Sequence, residues 1–271
     1  MSLPVRPNVL DHLVFLCADL NAVAANFTAA GFTVQNGGTH ADGRTENMLL
    51  VLRDGVYIEL IAFVDSSKKH SHFWADKLPG WIDWACLGVK RGETGIEEFY
   101  DEPIDGGRLL ADGTRIQWSV SFPHKHYPRG SIPFYCGDKT PRKLRVPDSL
   151  EHTNGVQGVK ALTLLCNDTA LQASVFLYSS ILRQLPQVQS EKHAIFQLES
   201  PLHKSIELLL RTPQNSDEEK KVMVNNGDII HQVELYGDAV IIYLSIADET
   251  TQVDLSAKPH VSSVFILSND L

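Results

Sequence analysis

Two neighbouring stretches, residues 8–30 (NVLDHLVFLCADLNAVAANFTAA) and 46–63 (ENMLLVLRDGVYIELIAF), constrain the fold of this chain more than any other feature. The first reads as a strand over 9–17 and a helix over 20–30, with Asp19 placed as N-cap and Gly31 as the C-terminal stop. Val23, Phe27 and Ala30 fall on one face of that helix. The second reads as strands over 46–52 and 56–63 around Asp54-Gly55, a strong hairpin signal. With the polar segment 35–44 read as a loop, the two stretches make one compact βαβββ unit. His12 sits in its first strand and Glu59 in its last, each among apolar neighbours. An imidazole and a carboxylate buried in this way cost free energy unless something pairs with them. A metal, a substrate or each other would all serve.

Composition narrows what that partner can be. The formal net charge of -9 argues against nucleic acid, which is bound by basic surfaces. No apolar run approaches a membrane span, and the opening MSLPVRPN lacks the apolar core of a secretory signal, so a soluble, cytoplasmic protein is expected. The four cysteines, Cys17, Cys86, Cys136 and Cys166, are scattered through apolar strand-like segments without a C-x-x-C, and read as buried reduced thiols. There is no G-x-S-x-G elbow, P-loop or G-x-G-x-x-G after a strand. Small molecules or other proteins remain as partners.

The unit then comes round again. A looser copy runs through a strand over 81–90, a short acidic helix over 95–101, and strands over 115–122 and 132–136. Gly106-Gly107 and Asp112-Gly113 read as turns, and 123–130 as a loop. After a polar bridge, 139–154, a third copy follows: strand 158–166, helix 168–182, and strands 193–199 and 204–211 around the turn 200–203. The remainder is less regular. It holds a charged stretch over 215–221 and strands over 229–236, 239–246 and 261–267.

A repeated βαβββ unit with His in its first strand and Glu in its fourth resembles the vicinal-oxygen-chelate superfamily, and within it the glyoxalase-like domain proteins. The matching pieces are Asp11-His12-Leu13-Val14, Gly37-Gly38-Thr39-His40, Arg44-Thr45-Glu46-Asn47 and Tyr57-Ile58-Glu59-Leu60-Ile61, then Ile132-Pro133-Phe134-Tyr135 and Glu151-His152-Thr153-Asn154-Gly155-Val156. The resemblance implies an α+β fold of curved mixed sheets, in which paired units enclose a cavity faced by the first and fourth strands of each. It divides the chain into a glyoxalase-like domain of two units, 1–150, and a C-terminal domain built on the partly degenerate third, 151–271. Carried over, His12 and Glu59 fall on metal-ligand positions, and the implied cofactor is a divalent metal. In the second unit only Asp83 and Cys86 offer metal-binding chemistry, unless His40 or His152 completes the site from a loop. With two protein ligands the metal would be weakly held.

The candidate ligand-binding residues are therefore His12, His40, Asn47, Glu59 and His152, with Glu59 the candidate catalytic group. For His152 a pocket-lining role and a fastening role weigh equally, whereas Trp118 and Phe134 read as core. The function implied is small-molecule binding, with metal-dependent lyase or isomerase chemistry. Its rival is a non-catalytic ligand-binding or regulatory subunit of the same fold, and either form allows a homodimer. An extradiol-type dioxygenase would need two histidines and a carboxylate around an open iron position, of which His12 and Glu59 are in place.

Overall fold

The computed structural model describes residues 8–88, 98–110, 112–225, 227–237, 241–246 and 263–267. The first unit comprises β1 (Leu10–Leu16), α1 (Leu20–Ala29), β2 (Gln35–Thr39), β3 (Thr45–Val51) and β4 (Tyr57–Phe63). The second contributes β5 (Gly80–Leu87), β6 (Ile104–Leu109), β7 (Arg115–Ser121) and β8 (Phe134–Asp138). These strands form one eight-stranded sheet in the order β2-β3-β4-β1-β5-β8-β7-β6. After a short helix α2 (Arg142–Arg145) come β9 (Val156–Leu165), α3 (Leu171–Leu182), β10 (Val188–Gln189), β11 (His193–Glu199) and β12 (Ser205–Arg211). The chain continues through α4 (Ser216–Asn225), β13 (Ile229–Gly237), β14 (Ile241–Ile246) and β15 (Ser263–Leu267). The second sheet has seven strands, ordered β10-β11-β12-β9-β13-β14-β15. Among the described residues no helix is long and apolar enough to cross a membrane.

Strand β1 is apolar at nearly every position because it is central: β4 pairs with it in parallel on one side and β5 antiparallel on the other. Alternation then sorts its side chains. Leu13 and Phe15, with Ile58 and Leu60 of β4, join a core shared with the second sheet. His12, Val14 and Leu16 turn the other way, as do their register partners Tyr57, Glu59 and Ile61. His12 and Glu59 thus lie side by side on one face. A bulge between Leu10 and His12, where β1 pairs with β5, breaks the alternation at Asp11. It lets two consecutive polar residues, Asp11 and His12, share the face opposite Leu10 and Leu13.

Helix α1 begins where Asp19 accepts a hydrogen bond from the Ala22 amide (3.0 Å) and buries Leu20, Ala24 and Phe27. The hairpin at Asp54-Gly55 also ties the two sheets together. Asp54 accepts from the amides of Val56 (3.0 Å) and, across the interface, Val159 (2.8 Å). Gly55 has a φ of +88°, and a Cβ there would stand 2.9 Å from Pro201. Both demands exclude a side chain.

In the second sheet β12 pairs in parallel with β9, and β13 antiparallel, as β4 and β5 do with β1. The order β10-β11-β12-β9-β13 therefore repeats β2-β3-β4-β1-β5. The C-terminal remainder, irregular as sequence, begins a fourth unit that departs from the second: β14 follows β13 directly and pairs in parallel with β15.

Three sequence expectations are corrected. The segment 35–44 is not wholly loop, since Gln35–Thr39 is the edge strand β2, held by β3 despite its polar and glycine-rich composition. Gly106-Gly107 is no turn: it lies inside β6, where a Cβ on Gly106 would stand 2.4 Å from the Trp118 indole nitrogen. The expected helix 95–101 falls partly outside the described residues, and its described end contains only a turn and the bridge from Tyr100 to Pro123.

Candidate functional site

The face of the first sheet that carries His12 and Glu59 curves around a cavity of about 900 Å³. Every residue lining it lies between His12 and Arg145. Its floor is polar and its walls are aromatic.

Glu59 is at the centre of the floor, and Asn47, its neighbour across β3, donates through Nδ2 to Oε1 (2.5 Å). The register explains the pairing: Asn47 is opposite Ile61 and Leu49 opposite Glu59, so the two polar groups are diagonal neighbours on one face. Gly37 on β2 makes room, because a Cβ there would fall on Asn47 Oδ1. His12 Nε2 stands 3.7 Å from Glu59 Oε2, and His40 Nε2 stands 3.7 Å from Glu59 Oε1. Both separations exceed a hydrogen bond. The imidazoles flank the carboxylate without being bound by it.

Each ring is held from behind. His12 Nδ1 contacts Asp11 Oδ2 at 2.8 Å, and the ring stacks on Tyr57 (4.6 Å between centroids) and meets the edge of Phe134. His40 Nδ1 contacts Thr45 Oγ1 at 2.7 Å. Burial lowers the pKa of His40, partly opposed by Glu59, and so keeps this ring neutral.

Asp11 is fully buried, which alone would raise its pKa, but the guanidinium groups of Arg145 and Arg142 and the His12 ring hold it well below the usual carboxylate range. An ionised Asp11 requires His12 to carry its proton on Nδ1 and turn Nε2 to the cavity. Arg145, 5% exposed on the side chain, donates to Asp11 (3.0 Å), to the Tyr57 hydroxyl (2.7 Å) and through Nε and Nη2 to Asp138 (2.5 and 3.0 Å). The bulge in β1, the helix α2 and the end of β8 are pinned by this one side chain.

Four of the sequence candidates, His12, His40, Asn47 and Glu59, line the cavity. His152 does not, and its pocket-lining alternative is corrected. Its Nδ1 accepts from the Thr33 amide (2.9 Å) and its Nε2 meets the Val51 carbonyl (3.2 Å), so the ring fastens the bridge after α2 to the first unit. Trp118 and Phe134 are buried in a core cluster, as expected, and also present a surface to the cavity wall. Asp83 lies behind Trp74, accepting from its indole nitrogen (2.8 Å), and burial pushes its carboxyl up to about 6. Cys86 faces the core between the sheets. Neither reaches the cavity. Arg145 and Arg108 were not legible as site residues; the buried charge of Asp11 was the signal that a cation had to follow.

The donors on the floor do not make up the metal-ligand set that the resemblance implies. His12 and His40 approach different oxygens of Glu59, one of which Asn47 already occupies. Among the described residues no three His, Cys, Asp or Glu side chains lie close enough to share one ion. Where the first and last strands of the second unit meet this site they offer apolar groups instead of ligands, with Ala85 opposite His12 in the sheet and Phe134 on the wall.

Comparison with known proteins agrees with this architecture. A hypothetical protein from Staphylococcus aureus superposes with a TM-score of 0.64 at 11% identity, over 95% of this chain and 99% of that one. A variant of 4-hydroxymandelate synthase from Streptomyces coelicolor gives 0.50 at 8% identity, over 89% and 72%. At these identities the likeness is one of fold. No curated protein sequence matches the chain. The family model described as "Glyoxalase-like domain" matches residues 10–178, which span both units of the first sheet and the first strand and most of the helix of the third, and the chain belongs to that family.

Proposed function

We propose that the chain binds a small organic molecule in the cavity over Glu59 and that Glu59 acts as a base, removing a proton from carbon next to a carbonyl in a lyase or isomerase reaction. The observation that carries this reading is the position of Glu59: a buried carboxylate on a cavity floor, one oxygen steadied by Asn47 and the other open towards His12. A base needs a fixed orientation and a free lone pair within reach of the substrate. His12, backed by Asp11, and the neutral His40 stand where they can orient a carbonyl oxygen beside it. A divalent metal held by His12 and Glu59 would supply Lewis-acid chemistry here, but no step is assigned to it, because the donors do not converge. We assign the site to a domain formed by 1–150, with 151–271 as its support.

The test is solvent-deuterium exchange at the α-carbon of a panel of 2-oxo and 2-hydroxy carbonyl compounds, followed by proton NMR. Exchange is expected with the wild type and should fall by roughly 10²–10⁴-fold in Glu59→Gln, the usual worth of a positioned base. Equal exchange in the variant would remove Glu59 from the chemistry. If the wild type exchanges none of the panel, the ligand-binding reading without catalysis takes its place.

Metal content is a separate prediction. Protein supplied with zinc, nickel, manganese or ferrous iron and then gel-filtered should retain substoichiometric metal, since catalytic sites ordinarily hold their ion with three protein ligands. A stoichiometric ion, abolished by His12→Ala without loss of fold, would move the assignment to a metal-dependent enzyme.

A further inference from the structure

Arg108 differs from every other cation at the cavity. It comes from β6, lines the cavity wall and is 6% exposed, and among the described residues its guanidinium donates from Nη2 to the Arg145 carbonyl (2.8 Å). Its Nε is buried without a partner. Among the described residues no carboxylate oxygen lies within 4 Å of its guanidinium. Arg145 is saturated by Asp11, Asp138 and Tyr57, and Arg115 stands exposed at the rim. A guanidinium taken out of water without a carboxylate in contact is strongly unfavourable, and Glu59 attracts this one only from beyond ion-pair distance, so Arg108 points to a counter-charge that arrives from outside.

Its surroundings describe the rest of that partner. Trp118, Phe122, Phe134, Trp74 and Ile61 form apolar walls beside it, and the cavity is far larger than a bare anion needs. Glu59 on the floor is committed to Asn47 through one oxygen.

We propose that Arg108 is the anchor for the carboxylate of an organic acid whose apolar, ring-sized body packs along Trp118, Phe122 and Phe134. This rests on the reading of the cavity as a small-molecule site and names the class of molecule. The guanidinium offers a planar fork that two carboxylate oxygens can meet, which an ammonium cannot match. The same cation would offset the repulsion between the bound acid and Glu59, which it already attracts.

Isothermal titration with 3-phenylpropanoate and its neutral amide, 3-phenylpropanamide, tests the assignment in the wild type, Arg108→Gln and Arg108→Lys. The wild type should bind the acid about tenfold or more tightly than the amide, a difference of the size expected for one charge-assisted pair. Arg108→Gln should bind both alike and Arg108→Lys should keep part of the preference. The melting temperature of Arg108→Gln should be no lower than that of the wild type, because the change removes a buried charge that no carboxylate contacts. Equal binding of acid and amide by the wild type overturns the anchor while leaving a binding cavity intact. An undiminished preference for the acid in Arg108→Gln overturns it too. If neither compound binds the wild type, the anchor and the small-molecule reading fall together.

Discussion

Arg145→Met will destabilise the protein by about 3–5 kcal/mol, the usual cost of removing one partner from a buried ion pair and stranding the other. The methionine keeps most of the volume and none of the charge. Asp11, fully buried, then retains Arg142 and His12, Asp138 keeps its longer contact with Arg142 (3.5 Å), and the Tyr57 hydroxyl loses the Arg145 donor. For a chain of this size the melting temperature should fall by on the order of 10 °C in a thermal scan. Asp11→Asn in the Arg145→Met background should restore part of the loss, so that the double variant is more stable than the sum of the singles.

The pH dependence of that loss follows from Asp11. Its folded pKa is depressed, so its contribution is present above the ordinary aspartate value and is lost as pH falls below it. The gap between wild type and Arg145→Met should therefore narrow in acid. A variant that melts within about 2 °C of the wild type, well under the cost of one stranded charge, would show that Arg145 is not the strut described above.

The parts of this fold that were legible in the sequence are those set by local chemistry. Apolar alternation and the Asp54-Gly55 turn marked β3 and β4, the N-cap Asp19 marked α1, and the repetition of strand, helix and hairpin marked the third unit. Illegible were the elements that tertiary partners decide. The strand Gln35–Thr39 has no apolar period and a single β-branched residue, Thr39, at its end, and exists because β3 offers it an edge. Gly106-Gly107 looks like a turn because Gly106 serves the close approach of Trp118 and Gly107 that of the Ile116 carbonyl, which only the neighbouring strand reveals. For the site the same division holds. His12 and Glu59 were visible because charge inside an apolar strand is anomalous wherever it occurs. His152, in a polar bridge, was singled out by the resemblance, and its ring instead joins two backbone segments far apart in the chain. Arg108 and Arg145 lay in polar segments where an arginine is ordinary, and only the folded chain makes them exceptional.

Trp84→Ala is the second change expected to be large, and it asks whether the two halves of the chain fold as one. Trp84 is fully buried in β5 on the face away from the cavity, and its ring stacks on Tyr178 of α3 (6.3 Å between centroids, 13° between planes). The Tyr178 hydroxyl in turn donates to the Ser131 carbonyl. Aromatic side chains from both sheets thus close a single core that also includes Leu13, Leu162 and Phe196. Truncation of a buried indole leaves a cavity that such packing cannot collapse, at a cost of about 3–5 kcal/mol. Trp84→Phe should cost much less than that, because the indole nitrogen is buried without a hydrogen-bond partner and its removal relieves a desolvation cost as well as losing volume. Since the ring lies between the halves, calorimetry of Trp84→Ala should show one transition displaced to lower temperature as a whole. Two transitions with only the first displaced would mean that residues 1–150 and 151–271 are independent folding units that merely touch, and that the second half supports the site by contact rather than by shared stability.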